Sequence, residues 1–177
     1  MELLTPRLRL REFRTEDFAT THAYGSDLEV TRHTLFGPNT DADTRGFIAA
    51  MVAAQAAVPR VDYTFAIELK DGGAHAGAIG FTVDKAEATL GYVLHKPYWG
   101  QGYMTEAARA MISFAFGELK LHRVYATCDV ANPASFRVME KVGMRREGLS
   151  LKSSWMKNRW RDTLHYAILA SEWPAQS

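Results

Sequence analysis

This sequence predicts an α+β (mixed α/β) fold, and three of its features support that prediction. Near the start, Arg7–Phe13 alternates charged and apolar residues with a period of two, which is typical of a strand with one wet face. The middle of the chain holds a run of short strand-like segments separated by turn residues. Helical segments stand between the strands, so the sheet is expected to pack against helices.

The first half of the chain is predicted to contain a strand, two helices and a run of three strands. Thr15 followed by Asp17 is a helix-start signal, and the Gly-, Pro-, Asn- and Asp-rich residues Phe36–Asp43 are typical of a loop. The predicted elements are, in order, strand Arg7–Phe13, helices Asp17–Tyr24 and Thr44–Ala57, and strands Tyr63–Leu69, Gly77–Val83 and Thr89–Leu94.

The second half is predicted to alternate helices and strands. One segment carries apolar residues at helical spacing, namely Met104, Ala107, Ala108, Met111, Ile112 and Ala115. Another begins with an N-cap residue, Asn132, and a first-turn proline, Pro133. The predicted elements are helix Met104–Phe116, strand Arg123–Val130, helix Pro133–Lys141 and terminal strand Arg161–Leu169, with one more strand before the last left open.

Length and composition predict one globular domain over residues 1–177. Hydrophobic residues make up 47% of the chain, which argues against intrinsic disorder. Lys and Arg number 21 against 20 Asp and Glu, so affinity for nucleic acid through phosphate neutralisation is not expected. The longest apolar stretch, Phe47–Val58, is shorter than the ~20 residues of a membrane span, and no secretory signal is expected.

The single cysteine, Cys128, cannot form an internal disulfide, and no Cys and His residues stand at zinc-ligand spacing. We therefore expect a cytoplasmic protein with no metal site and no membrane partner. The sequence leaves the oligomeric state open, a homodimer included.

A glycine-rich loop joins the strand ending at Leu94 to the helix starting at Met104. Gly100 and Gly102 let backbone amides approach a ligand closely, and the helix start adds unpaired N–H groups, so a phosphate or pyrophosphate site is predicted. The loop is not a Walker loop, because Tyr103 follows Gly102 where that motif needs Lys. A turn that merely joins a strand to a helix is the alternative interpretation.

A second segment, Asn132–Met144, is on its own simply a well-capped helix. Together with the glycine loop, and in this order, it resembles the GNAT N-acetyltransferase superfamily, in particular the RimJ/RimL-like branch of ribosomal-protein N-terminal acetyltransferases. The resemblance implies the GNAT fold, with a mostly antiparallel twisted sheet that is splayed at the acetyl-CoA site and flanked by helices. The matching stretches are Thr5–Phe13, Leu90–Tyr92, Tyr98–Ala107, Asn132–Ser135, Glu140–Met144, Glu147–Gly148, Trp160–Asp162 and Tyr166–Leu169.

The resemblance implies acetyl-CoA as the cofactor and suggests which residues contact it. Pantetheine is expected to lie like an added strand along the backbone of Tyr92, Val93 and Leu94. Two exposed cations on the later helix, Arg137 and Lys141, are expected to meet the 3′-phosphate of CoA. The pyrophosphate is expected on the backbone amides of Gly100, Gln101, Gly102, Tyr103, Met104 and Thr105.

The resemblance also suggests catalytic residues near the thioester. Asn132 is expected to bind the cofactor or hold its loop, and Ser135 to lie near the thioester sulfur. Many members place a proton-donating Tyr on this helix, but the matching residue here is Met139, so Ser135 becomes the candidate general acid. A helix-start hydroxyl that bonds only to backbone is the alternative role for Ser135.

No family base can be carried over to this chain. The branch often has Glu at two positions that here are Thr89 and Ser154. Glu106, in the first turn of the pyrophosphate helix, is the carboxylate assigned to catalysis, with a helix-start charge as its alternative role. Glu87, His95 and Asp129 are further candidate proton acceptors.

Direct acetyl transfer needs a neutral amine, which narrows the class of acceptor. At pH 7, deprotonation costs about 4.6 kcal/mol for a lysine-like amine of pKa near 10.4, but about 1.1 kcal/mol for a peptide α-amine of pKa near 7.8. Because the family's glutamates are missing, the sequence favours a peptide or protein N-terminal α-amine as the acceptor. A small-molecule amine and a non-catalytic acyl-CoA-binding module are the alternatives.

Overall fold

The computed structural model describes residues 1–174, which form eight strands and four α-helices. The predicted element order is confirmed, and two strands are added: a short one at the start and a long one in the place that the sequence left open. The strands are β1 (Glu2–Leu4), β2 (Leu8–Glu12), β3 (Asp62–Leu69), β4 (His75–Asp84), β5 (Glu87–Leu94), β6 (Arg123–Asp129), β7 (Arg145–Met156) and β8 (Arg159–Leu169). The helices are α1 (Phe18–Gly25), α2 (Asp41–Ala54), α3 (Tyr103–Gly117) and α4 (Pro133–Lys141).

The start of α2 differs from the prediction, which placed residues up to Asp43 in a loop. Thr40 is the N-cap: its Oγ1 accepts from the Asp43 amide at 3.2 Å, and its own amide donates to Asp43 Oδ2 at 2.9 Å. This capping box starts the helix three residues earlier than the sequence pattern suggests.

One sheet contains all eight strands in the order β1-β2-β3-β4-β5-β6-β8-β7. Every neighbouring pair is antiparallel except β5 and β6, which are parallel. The predicted mostly antiparallel α+β architecture is therefore confirmed. No helix within residues 1–174 has the length and apolar character that a bilayer crossing requires.

Helices cover both faces of the sheet, so the core has two parts. The six apolar positions of α3 that the spacing predicted are all buried, at 6% exposure or less. The core on the α3 and α4 face includes Leu8, Phe65, Ile79, Met111 and Met139. The core on the α1 and α2 face includes Phe13, Tyr24, Ile48, Ala78 and Val93.

The sheet is splayed between its two parallel strands. Only residues 87–89 of β5 pair with residues 123–125 of β6. Beyond Thr89, β5 continues to Leu94 with β4 as its sole partner in the described chain, while β6 continues to Asp129 against β8. The splay that the resemblance implied is therefore present, and it opens a gap in the middle of the sheet.

Candidate active site

A cleft of about 810 Å³ opens where β5 and β6 separate. Its lining includes Met139 from the core on the α3 and α4 face, and Tyr24 from the core on the opposite face. The cleft therefore passes through the sheet, so two ligands could meet within it from opposite sides. Along the gap itself it is lined by Thr89, Leu90, Gly91, Tyr92, Val93, Thr127, Cys128, Asn132, Ser135 and Met139.

The glycine loop before α3 presents free amides at one end of β5. Gly100 and Gly102 have φ values of +74° and +79°, which a residue with a side chain adopts only under strain. The first helical bond runs from the Glu106 amide to the Gly102 carbonyl oxygen at 3.1 Å. Within residues 1–174, the six preceding amides, 100–105, have no protein acceptor. These donors at a helix N-terminus fit a pyrophosphate.

The structure places Glu106 elsewhere than a general base requires. Its Oε1 accepts from Thr5 Oγ1 at 2.6 Å and from the Arg7 amide at 2.8 Å, and its Oε2 accepts from Arg7 Nε at 2.6 Å. Burial alone would raise the pKa of Glu106, but the hydrogen bonds from Thr5 and Arg7 lower it below its ordinary value. Glu106 is not among the residues that line the cleft. The assignment to catalysis is therefore corrected: Glu106 holds the N-terminal segment against α3.

Arg7 links that carboxylate to the glycine loop. Its Nη1 donates to the Gln101 carbonyl oxygen at 3.0 Å, and its guanidinium lies 4.5 Å from the centre of the Tyr103 ring. The backbone of the loop is thereby fixed by a side chain from the start of the chain. No sequence motif connects residue 7 with residues 101–103, so this contact could not be predicted.

The free edge of β5 belongs to Tyr92 and Leu94. The Val93 carbonyl oxygen faces β4, since a Cβ built on Gly77 would lie 2.3 Å from it. A strand residue points its N–H and C=O to the same side, so the Val93 amide also faces β4. The Leu94 carbonyl oxygen instead faces outward, where it accepts from Trp99 Nε1 at 2.6 Å. The backbone role predicted for Val93 therefore passes to its neighbours, and Val93 lines the cleft with its side chain.

Tyr92 and the start of α4 meet across the gap. The Tyr92 hydroxyl donates to the Ser135 carbonyl oxygen at 2.9 Å and lies 3.0 Å from Ser135 Oγ. Asn132 caps the helix, its Oδ1 accepting from the Ser135 amide at 3.2 Å. Burial raises the pKa of the Tyr92 phenol above its ordinary value, so the hydroxyl keeps its proton at neutral pH. Met139 is buried beside them and has no proton to give.

The cysteine at this point of the cleft is buried and keeps its thiol proton. Cys128 is 3% exposed, and burial raises the pKa of its thiol to about 11. The thiolate needed for nucleophilic attack is therefore scarce at neutral pH.

A histidine that no sequence pattern indicated lines the α1 and α2 side of the cleft. His33 Nδ1 lies 3.3 Å from Oδ2 of Asp129, which also pairs with Arg159. Burial alone would raise the pKa of Asp129, but hydrogen bonds from Ala131, Arg159 and His33 hold it below its ordinary value. His33 lies outside every motif, so only its position in the fold reveals it.

Acidic groups lie further along the same side. Asp43 and Asp62 line the cleft, and Asp62 Oδ1 accepts from Thr64 Oγ1 at 2.8 Å. Two other acceptors that the sequence suggested, Glu87 and His95, are not in the lining. The RimJ/RimL-like branch often has Glu at two positions that are Thr89 and Ser154 in this chain. Thr89 lines the cleft, whereas Ser154 lies opposite Arg161 in the pairing of β7 with β8.

The two cations expected to meet the 3′-phosphate stay a prediction. Arg137 and Lys141 are exposed on α4, and neither has an ion-pair partner within the part of the chain described. The Lys141 carbonyl oxygen accepts from Arg109 Nη2 at 2.8 Å, which ties α4 to α3.

Comparisons with known proteins agree with this geometry. Residues 7–145 match the profile of the family described as Acetyltransferase (GNAT) domain. The uncharacterized N-acetyltransferase YnaD of Bacillus subtilis (strain 168) is 37% identical over 175 residues, 98% of this chain and 99% of YnaD. The crystal structure of a GNAT-family acetyltransferase from Bacillus anthracis is 36% identical with a TM-score of 0.88, covering 97% of this chain and 100% of that one.

A more distant structure shows the same fold. RimL, a ribosomal L7/L12 alpha-N-protein acetyltransferase in complex with coenzyme A, superposes with a TM-score of 0.85 at 18% identity, covering 96% of this chain and 98% of that one.

Proposed function

The chain belongs to the GNAT acetyltransferase family, and from this premise we propose that it acetylates the α-amine of a peptide or protein N-terminus. Acetyl transfer from acetyl-CoA by an N-acetyltransferase is the activity of the family, which sets the non-catalytic module aside. The class of amine is the part that is proposed.

One observation carries the choice of acceptor. Where β5, β6 and α4 line the cleft, the groups present are hydroxyls, a thiol and an amide, with no carboxylate among these ten residues. Thr89 stands in this lining at a position where the branch often has Glu. A lysine-like amine would need a strong base there, because its deprotonation costs about 4.6 kcal/mol at pH 7. An α-amine at about 1.1 kcal/mol can react with weaker help.

The binding residues fit acetyl-CoA, which supplies an activated acetyl thioester. The free amides of residues 100–105 would hold the pyrophosphate at the N-terminus of α3. The backbone N–H and C=O of Tyr92 and the N–H of Leu94 would hydrogen-bond to pantetheine along the splayed edge of β5, since the Leu94 carbonyl oxygen already accepts from Trp99. Ser135 and Tyr92 would then lie at the reacting end, inside the gap.

Proton movement completes the transfer. A C–N bond forms at the acceptor nitrogen as the C–S bond breaks, so one proton must leave nitrogen and one must reach sulfur. Ser135 Oγ, held beside the Tyr92 hydroxyl, is the proposed donor to sulfur. His33, which lines the acceptor side, is the proposed acceptor of the amine proton, with Asp129 holding its ring.

A small-molecule amine is the second candidate acceptor. Asp43 and Asp62 line the α1 and α2 side of the cleft, where their charges would attract a polyamine. No dense acidic cluster accompanies them in the lining, so the peptide α-amine is favoured.

The deciding experiment compares acceptors at pH 7 by release of CoA thiol, with mass spectrometry of the product. The panel holds a lysine-free peptide with a free N-terminus, the same peptide with a blocked N-terminus and one lysine, free lysine, and spermidine. We expect the free N-terminus to react fastest. Faster acetylation of spermidine or of either lysine would overturn the proposal.

The assembly and location are also proposed. Leu151, Trp155 and Trp160 are 70%, 58% and 55% exposed on the β7–β8 hairpin, at the last strand of the sheet. We expect this apolar edge to pair with a second copy, since edge strands and apolar patches favour association. Sedimentation should then give a dimer that Trp155→Ser dissociates.

The free thiol of Cys128 suits the reducing cytoplasm, where we place the enzyme.

A further inference from the structure

A buried arginine faces the cleft without a counter-ion. Arg161 on β8 is 6% exposed and lines the cleft. Among the described residues, its Nε has no hydrogen-bond partner, and its Nη1 reaches only the Met156 sulfur, at 4.0 Å. Within residues 1–174, no carboxylate lies within 4.0 Å of its guanidinium. A buried charge with no partner is costly, so this arrangement needs an explanation.

The other buried arginine of the described chain shows the usual solution. Arg11 is 7% exposed, and its guanidinium is held by Asp17 at 2.7 Å and by Glu68 at 2.6 Å. Arg161 has the same burial but no such pair. No anion within residues 1–174 satisfies Arg161, so its site is suited to an anion that a ligand supplies.

Asp129, the acidic residue that lines the same crevice as Arg161, is already engaged. Asp129 accepts from the Ala131 amide at 2.9 Å and pairs with Arg159 and His33. Lys157, a further cation beside Arg161, donates to the Phe36 carbonyl oxygen at 2.9 Å. The crevice that contains Arg161 therefore carries more positive than negative charge, which favours binding of an anionic ligand.

The position of Arg161 indicates that this ligand is the acceptor, which would enter the cleft from the α1 and α2 side. Arg161 shares a small crevice with Arg32, His33 and Thr34, which precede α2. The amides suited to pyrophosphate lie instead at the start of α3, and the cations expected at the 3′-phosphate lie on α4. Because acceptor and cofactor would approach from opposite faces, the anion for Arg161 belongs to the acceptor.

We propose that Arg161 binds a carboxylate of the acceptor, so that the enzyme selects amines with a carboxylate a short distance away. The inference rests on the proposed function and narrows it to peptide N-termini with an acidic residue at the first or second position. A planar guanidinium binds a carboxylate through two parallel hydrogen bonds, and the buried site strengthens both. A free amino acid carries the same group on its α-carbon and is the other source to be tested.

The test measures kcat/KM by CoA release on matched acceptors that differ in one charge. The peptide pair begins Ser-Glu and Ser-Gln and is otherwise identical; the small pair is serine and serinamide. We expect the acidic peptide to be preferred at least about tenfold. Arg161→Met, which has a similar volume, should reduce that preference to about one, while the Kd for CoA stays as in the wild type.

Arg32→Met is the control, since it removes an exposed charge from the same crevice and should leave the preference intact. If the wild type shows no preference within either pair, the inference is overturned, and this result does not depend on the folding of any variant. A weaker Kd for CoA in Arg161→Met would also overturn it and assign the charge to the cofactor. If the serine pair alone shows an Arg161-dependent preference, the carboxylate site stands and the peptide acceptor of the proposed function fails.

Discussion

The Tyr92 hydroxyl on β5 lies 3.0 Å from Ser135 Oγ on α4 and donates to the carbonyl oxygen of the same residue at 2.9 Å. This pair spans the gap in the sheet. It links β5, the strand that would bind pantetheine, to α4, the helix whose Ser135 would donate a proton to the sulfur. It also places a phenol in the site, although the helix position where many family members have a proton-donating Tyr is Met139 in this chain.

The first prediction concerns this pair. Ser135→Ala should lower kcat by about 100-fold, because a positioned proton donor contributes about 10²–10⁴ to a rate. Tyr92→Phe should lower kcat by about tenfold, since it removes only the group that orients Ser135. Both should leave the Kd for CoA, measured by calorimetry, within twofold of the wild type. Unchanged kcat in Ser135→Ala would remove Ser135 from the proton path.

The glycine loop gives the second prediction. Gly102→Ala should raise the Kd for CoA at least tenfold, because φ of +79° strains a residue with a side chain and tilts the free amides. Crowding is not the reason, since the added Cβ would meet only Arg7 Nη2 at 3.5 Å. Gly46→Ala in α2, where the Cβ meets nothing within 4 Å, is the control and should raise stability by about 1 kcal/mol. If both variants bound CoA equally well, the free amides of residues 100–105 would not be the pyrophosphate site.

Local sequence patterns predicted most of the fold because they report local conformation. The spacing in α3, the cap of α4 and the glycine loop all depend on residues within a few positions of one another. The contacts that complete the site join distant segments: Arg7 with Gln101, and His33 with Asp129. Such pairs carry no periodicity, so only the folded chain brings them together.

The error on Glu106 has the same cause. A carboxylate in the first turn of a helix can serve a ligand or the helix, and the sequence cannot distinguish these roles. The role of Glu106 follows from Thr5 and Arg7, about a hundred residues earlier in the chain. These two residues donate hydrogen bonds to both of its carboxylate oxygens.

A buried ion pair gives the third prediction, on stability. Burial alone would raise the pKa of Asp17, but hydrogen bonds from Arg11 and the Arg14 amide lower it below its ordinary value. The pair therefore stabilises the fold fully above about pH 4, the unfolded pKa, and this contribution is lost as pH falls through the lower folded pKa.

Asp17→Asn should lower the free energy of unfolding at pH 7 by about 3–5 kcal/mol, because it leaves Arg11 buried with less compensation. The loss of stability on acidification should be correspondingly shallower in this variant. Asp71→Asn, at an exposed turn, is the control and should match the wild type. Urea titrations from pH 3 to pH 7 provide the measurement, and a parallel acid profile in Asp17→Asn would contradict the pairing.

The fourth prediction separates positioning from catalysis at Glu106. Glu106→Gln should raise the KM for acetyl-CoA severalfold, because the loop loses its charged link through Arg7. Since the pKa of Glu106 is already below its ordinary value, this group stays ionised and cannot shape a pH profile above pH 5. The pH dependence of kcat should therefore remain as in the wild type. A 100-fold fall in kcat with KM unchanged would restore Glu106 as a base.

The fifth prediction concerns His33 as the acceptor of the amine proton. His33→Asn should lower kcat/KM for the peptide about 100-fold at pH 7, while Asp129 keeps its bonds to Arg159 and Ala131 and the fold is retained. The defect should shrink as pH rises to 9, since an α-amine of pKa about 7.8 is then largely neutral without help. His122→Asn, at an exposed position, is the control. A defect of the same size at pH 7 and pH 9 would assign His33 to acceptor binding rather than to proton transfer.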